Sequence, residues 1–301
     1  LACPASPDCS AHPECCAQLV TSPVGFAATA GYLTTRVFVG DDRGRIWRAD
    51  LSSKDTSDWR LRRFYPVVKD TDSAPYTTGE AVESPVGLAM NDDGKLVIIF
   101  GTGNVDDLTG MGLNYVFSVT ENIEYDGGTG TYYGKPELNW VIQLEAGEKL
   151  MGQPMIFNKA VYFATFVPYT NASDLCQFGA GRIWGVHYMS KDPDEDGDEA
   201  DFAMLDETEP PDGEPPFVRY KQYLNTIISG LTVVQRPSCL GIDPMTGMPL
   251  NTGAQEVYEI VAQASGCQGV KEGQRKTPTI TIRIPAPLSK NLADSWGSLL
   301  Q

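Results

Sequence analysis

The chain has 301 residues, 42% of them apolar and 10% aromatic, which is ample for a sizeable core in a single unit. Its 30 glycines and 21 prolines are spread along the length, a composition that favours many short strands over long helices. The net charge of −16 is concentrated: the stretch Asp192 to Glu214 holds twelve acidic residues and no Lys or Arg, the remainder is close to neutral, and no basic tract suited to a phosphate backbone is present, which argues against nucleic acid as a partner.

In chain order, residues 1–34 form a Cys-rich N-terminal segment. Four of the seven cysteines fall here, Cys3, Cys9, Cys15 and Cys16, with Cys176, Cys239 and Cys267 further on. The favoured reading is a disulfide-stapled, Pro-rich loop in an oxidising compartment; zinc held by Cys9, His12, Cys15 and Cys16 is the competing one. An odd cysteine implies a partner elsewhere or a free thiol. The chain begins at Leu1 with no signal-peptide pattern and reads as a mature or excised part of something longer. No run approaches the ~18 apolar residues that a spanning helix needs, so no membrane span is expected.

Residues 35–301 carry a recurring pair of strands. In the first copy Val37 to Val39 run into Gly40, a turn follows at Asp41 to Gly44, and a second strand carries Ile46 and Trp47. The second copy is Leu96 to Phe100 followed by Tyr115 to Val119. The third is Val161 to Thr165 followed by Gly181 to Tyr188. The anchors Trp47, Phe117 and Trp184 recur roughly 70 residues apart, a length that holds four strands with generous loops. Turns are predicted at Asn91 to Gly94 and at Asn158-Lys159, a fourth unit over Ile227 to Val234 with Glu256 to Val261, and a period-2 strand over Thr279 to Ile284. The fold class is all-β, a β-propeller of the quinoprotein-like type with modified blades, as part of a larger ring, since closed propellers have ~4–8 blades.

Four stretches together resemble one family. Val37 to Leu51, Val97 to Asn104, Trp140 to Lys149, and Val161 to Gly185 with Cys176 follow the order and spacing of blade motifs in the C-terminal β-propeller domain of the PilC/PilY-type proteins of bacterial type IV pili. Ser295-Trp296 is similar to that domain's C-terminal end. The resemblance implies an exported, non-enzymatic module at the pilus tip on the cell surface of a Gram-negative-type bacterium. It implies a role in pilus assembly and surface adhesion, with minor pilins or a pilin tip complex and a host or surface ligand as partners. A calcium loop that the family often carries ahead of the first motif has no counterpart, because Ala28 to Thr35 contains no carboxylate.

The acidic, Pro-rich insertion at 190–216 carries the candidate metal residues. Asp192, Asp194, Asp196 and Asp198 alternate around Gly197, a pattern in which carboxylates converge on one hard cation while glycine takes the sharp turn. Calcium is the expected ion. The bidentate Glu of an EF-hand is replaced by Ala203, so Asp201 or Asp206 would have to complete the shell; the bland alternative is a solvated acidic loop. Glu207 to Pro216 reads as an exposed loop.

Catalytic chemistry finds little support. With only His12 and His187, neither near a nucleophile motif, a hydrolase triad has no basis. A propeller enzyme, either a quinone-cofactor dehydrogenase or a glycosidase-like carboxylate pair, is the alternative class; no residue set selects it. Gly101 to Asn104 lacks the Lys and helix of a phosphate loop and reads as a turn. Three aromatic-rich stretches, Tyr125 to Trp140, Phe163 to Tyr169 and Phe217 to Tyr223, are expected to pack between blades, with a glycan- or protein-binding face unrelated to pili as the other reading.

Overall fold

The structure, a computed structural model, describes residues 17–27, 32–66, 80–128, 130–169, 179–206, 217–235, 245, 258–266 and 279–284. All seven cysteines, His12, Glu207 to Pro216 and Ser295-Trp296 lie outside the described residues, and with them the expected N-terminal staple.

Four antiparallel meanders follow one another along the chain. The first joins β1 (Val24–Phe26), β2 (Arg36–Gly40), β3 (Arg45–Asp50) and β4 (Arg60–Pro66) in sequential order. The second joins β5 (Gly87–Met90), β6 (Leu96–Gly101), β7 (Tyr115–Asp126) and β8 (Thr131–Gln143), again sequentially. The third comprises β9 (Lys149–Phe157), β10 (Ala160–Pro168) and β11 (Gly179–His187). After β11 the chain makes the short pair β12 (Leu205–Asp206) and β13 (Phe217–Val218), then returns as β14 (Tyr220–Leu224) to pair with β11. The fourth joins β15 (Thr226–Gln235), β16 (Tyr258–Gly266) and β17 (Thr279–Ile284). The fold is all-β and propeller-like, with sheets as blades. Trp47, Phe117 and Trp184 all fall on the third strand of their blade, as their spacing predicts.

The second and third blades are buried on both faces, so their middle strands read as continuous apolar runs without losing their two-residue alternation. Along β6, Leu96, Ile98 and Phe100 join a core with Phe38, Ile46 and Phe64 of the first blade. Val97 and Ile99 point the other way, to Val161, Phe163 and Trp184 of the third. β10 repeats the device: Val161 and Phe163 face the second blade, while Ala160, Tyr162 and Ala164 join Ile228, Tyr258 and Ile260 of the fourth. Three interblade cores therefore hold the stack, each large side chain contributing about 1.5–3 kcal/mol on burial.

One turn is used twice. At the β2–β3 turn, Asp41 N–H donates to Arg45 O (3.0 Å) and Asp41 Oδ1 accepts from the amides of Arg43 and Arg45 (2.9 Å each). At the β5–β6 turn, Asn91 N–H donates to Lys95 O (2.9 Å) and Asn91 Oδ1 accepts from the amides of Asp93 (3.1 Å) and Lys95 (2.8 Å). Gly44 (φ 75°) and Gly94 (φ 72°) occupy the left-handed position that closes each turn. The β9–β10 turn solves the same problem with two non-glycine residues at positive φ, Asn158 (49°) and Lys159 (62°), the geometry of a two-residue hairpin loop.

Candidate cation centre

The acidic loop leaves the third blade at the end of β11. Its base is clamped to the second blade: the Ser118 hydroxyl (2.6 Å) and the Trp140 indole N–H (3.1 Å) both donate to Tyr188 O. His187 Nδ1 accepts the amides of Met189 (3.3 Å) and Ser190 (3.2 Å), closing the first turn of the loop. On the return, Phe202 is fully buried against Trp140, ring centroids 5.6 Å apart, and Ala203 bridges to Val186. The loop thus springs from a fixed stem on the seam between two blades.

Within the loop, Asp192 folds the chain back on itself. Its carboxylate accepts the amides of Asp196 (3.2 Å) and Gly197 (3.0 Å), with Glu195 (φ 61°) and Gly197 (φ 95°) in the left-handed region. The result brings carboxylate oxygens of Asp192, Asp194 and Asp196 within 4.8 Å of one another. Two oxygens on one Ca²⁺ at 2.3–2.6 Å can stand at most about 5 Å apart, so the three span the right size for a hard cation. Partial desolvation, and secondarily the nearby charges of Asp196 and Asp201, push the Asp194 carboxyl above its ordinary value.

The remaining predicted ligands are not among these three. Asp198 donates its amide to Asp196 Oδ1 (3.0 Å), and its carboxylate is not one of the three. Asp201 sits in the 3₁₀ turn Ala200–Phe202, and Asp206 lies in β12. The twelfth position, Ala203, is buried at the blade edge, so the EF-hand shell is not reproduced. Two parts of the stem went unnoticed in the sequence. His187 enters there only as a histidine too far from a nucleophile for a triad, and Phe202 is a lone aromatic in an acidic tract; an apolar side chain interrupting such a tract is the signal that the loop must dock.

The stem has a pH dependence. Burial, and secondarily the Lys159 charge, lower the His187 pKa from its ordinary 6.5. A base whose folded pKa is depressed stabilises the fold fully above its unfolded value, and that contribution declines as pH falls through it. The melting temperature is therefore expected to drop between about pH 7 and about pH 5, as the imidazole gains the proton that blocks Nδ1 as an acceptor. A His187→Leu variant should melt lower at neutral pH but with a flatter profile across that window; an unchanged slope would remove His187 from the account.

The aromatic stretches divide. Trp140 and Phe163 are buried in an interblade core and Phe166 is buried too, whereas Tyr125 and Tyr132 at the end of the β7–β8 hairpin are 59% and 69% exposed, against the expectation that they pack.

No protein-family profile and no curated protein sequence matches the chain. Among solved structures it is similar to the crystal structure of the Pseudomonas aeruginosa PilY1 C-terminal domain, at 13% sequence identity and a TM-score of 0.49 over 88% of this chain. The chain spans about 60% of the length of that structure.

Proposed function

We propose that this chain is a non-enzymatic surface module of a type IV pilus tip, acting in pilus assembly and adhesion, with calcium ordering its acidic loop. The observation that carries the calcium reading is the convergence of Asp192, Asp194 and Asp196 on one point above a fixed stem. A divalent ion there would exchange mutual repulsion for attraction. The pilus reading rests on the four blade motifs of the sequence: Val37 to Leu51 and Val161 to Gly185 cover the second and third strands of the first and third blades, and Val97 to Asn104 covers the second strand of the second. Minor pilins and a surface ligand would be the partners, and the cell exterior the location.

Calorimetric titration with calcium tests the first part. A Kd of about 10⁻⁴–10⁻³ M is expected, the range of extracellular calcium modules. The melting temperature should rise with calcium by mass action. Both responses should vanish in an Asp194→Ala/Asp196→Ala variant, whose changes fall on exposed loop positions. A chain that takes up no calcium loses the site. The second part is tested by immunogold labelling of piliated cells: label at fibre ends supports it, and label confined to the cell body overturns it.

A further inference from the structure

A cleft between the first two blades has the makings of a ligand site. One wall is the outer half of the first blade: Arg48 and Asp50 of β3 stand opposite Arg62 and Arg60 of β4, and Ser52, Ser53 and Asp58 come from the loop between them. The other wall is the tip of the β7–β8 hairpin, with Thr131, Tyr132 and Tyr133. The cleft encloses about 430 Å³, and an annex of about 250 Å³ shares its waist and reaches Thr35 and Arg36. This is the size range of small-ligand pockets, on the order of 300–1,000 Å³.

Both walls are pre-organised. The hairpin remains paired to its last residues, Asp126 with Thr131, so Tyr132 and Tyr133 are carried on strands. The Tyr133 hydroxyl donates to Glu124 (2.9 Å), which also takes the Lys135 ammonium (2.8 Å). Tyr132 leans on Tyr125, centroids 5.1 Å apart, and keeps most of its surface open. On the facing wall the charges are unequally used. Arg48 is taken up by Glu121 and Asp50. The Arg60 guanidinium donates only to the carbonyls of Ser57 and Trp59, and the Arg62 side chain makes no hydrogen bond or ion pair among the described residues. Asp50 and Asp58 accept from Ser52 and Ser53, which leaves lone pairs for further donors.

We infer that this cleft binds a carboxylated saccharide, its acid group on Arg60 and Arg62, its hydroxyls on Asp50, Asp58 and the serines, and a ring face on Tyr132. Guanidinium groups free of carboxylate partners fit a carboxylate best. An exposed aromatic ring beside hydroxyl-accepting carboxylates fits a sugar, which offers both an apolar face and several O–H donors. An acidic peptide would satisfy the arginines but bring repeated negative charge against Asp50 and Asp58, and the −16 net charge disfavours longer polyanions. The inference stands on the cleft alone and does not depend on the pilus reading.

The test is titration of the chain, by ligand-observed NMR and calorimetry, with galacturonate and 3′-sialyllactose. Lactose serves as the neutral control and triglutamate as the peptide control. Saturable binding of one of the acidic sugars is expected, at least about tenfold weaker in Arg62→Ala and in Tyr132→Ala, both exposed positions whose replacement should leave the melting temperature in place. Three results would each overturn the inference: no saturation by either acidic sugar up to ~10 mM; lactose binding as tightly; or triglutamate binding as tightly with the same loss in Arg62→Ala. None of these bears on calcium uptake or on where the chain sits on a cell.

Discussion

Replacing Glu121 by leucine is expected to lower the unfolding free energy by about 3–5 kcal/mol. Glu121 lies on β7 with its carboxylate fully buried, and it accepts from Arg36 of β2 and from Arg48 of β3. One carboxylate of the second blade thus neutralises two guanidinium groups of the first. The backbone of β8 closes over the pair at Gly134, where a Cβ would lie 2.5 Å from Glu121 Oε1 and 2.9 Å from Arg48 Nε. Without Glu121, Arg48 keeps only Asp50 at 3.1 Å, and two neighbouring cations of the first blade lose the carboxylate they share. A buried pair replaced whole is close to neutral, while half a pair is costly. The double variant Glu121→Leu/Arg48→Met should therefore recover part of the loss, a departure from additivity that a cycle measures directly. Urea unfolding at constant slope is the measurement. A single-variant loss under about 1 kcal/mol would mean that the seam is held by the core of Phe38, Phe64 and Phe100 alone.

This ion cluster marks the boundary of what the sequence could disclose. The recurring strand pairs were legible because each blade repeats the same local instructions: an apolar run, a turn with Gly at a left-handed position, and an aromatic on the third strand. The turns at Asp41 to Gly44, Asn91 to Gly94 and Asn158-Lys159 all form, because turn chemistry is decided within four residues. The pairing of Glu121 with Arg36 and Arg48 joins positions 85 and 73 residues apart and depends on how two blades stack, which no local pattern encodes. Its one trace is a charged residue ending the buried run that starts at Val116. The acidic loop was legible as a carboxylate cluster, and within it Asp192, Asp194 and Asp196 come within 4.8 Å of one another, a convergence set by the backbone turn at Glu195 and Gly197 that spacing alone does not encode. Tyr125 and Tyr132 read as packing residues and are exposed instead. The β7–β8 strands, at 12 and 13 residues, carry their tip to exposed positions at the cleft.

Asp41→Ala should cost a comparable amount, about 3–5 kcal/mol, and its comparison with Asp41→Asn separates two roles that one side chain combines. Asp41 is fully buried. Its Oδ1 closes the β2–β3 turn, while Oδ2 accepts from Arg45 Nε and from the Trp47 indole N–H, both at 2.7 Å. Asn91 shows that a neutral amide oxygen suffices for the turn, since it makes the same two backbone contacts in the second blade. What Asn cannot supply at position 41 is a second acceptor: its NH₂ would confront two donors, and rotating it would set the same conflict against the turn amides. Asp41→Asn should therefore lose about 1–3 kcal/mol, the cost of buried donors left without an acceptor. Alanine should lose more, because it removes the turn contacts as well as the charge. If the two variants prove equal, the turn bonds contribute little, and the Asp41 carboxylate matters chiefly as the counter-charge that fixes Arg45 and Trp47 on the third strand of the first blade. If Asn matches the unmodified chain, Arg45 and Trp47 are held by packing, and this turn is the equivalent of Asn91 with a charge to spare.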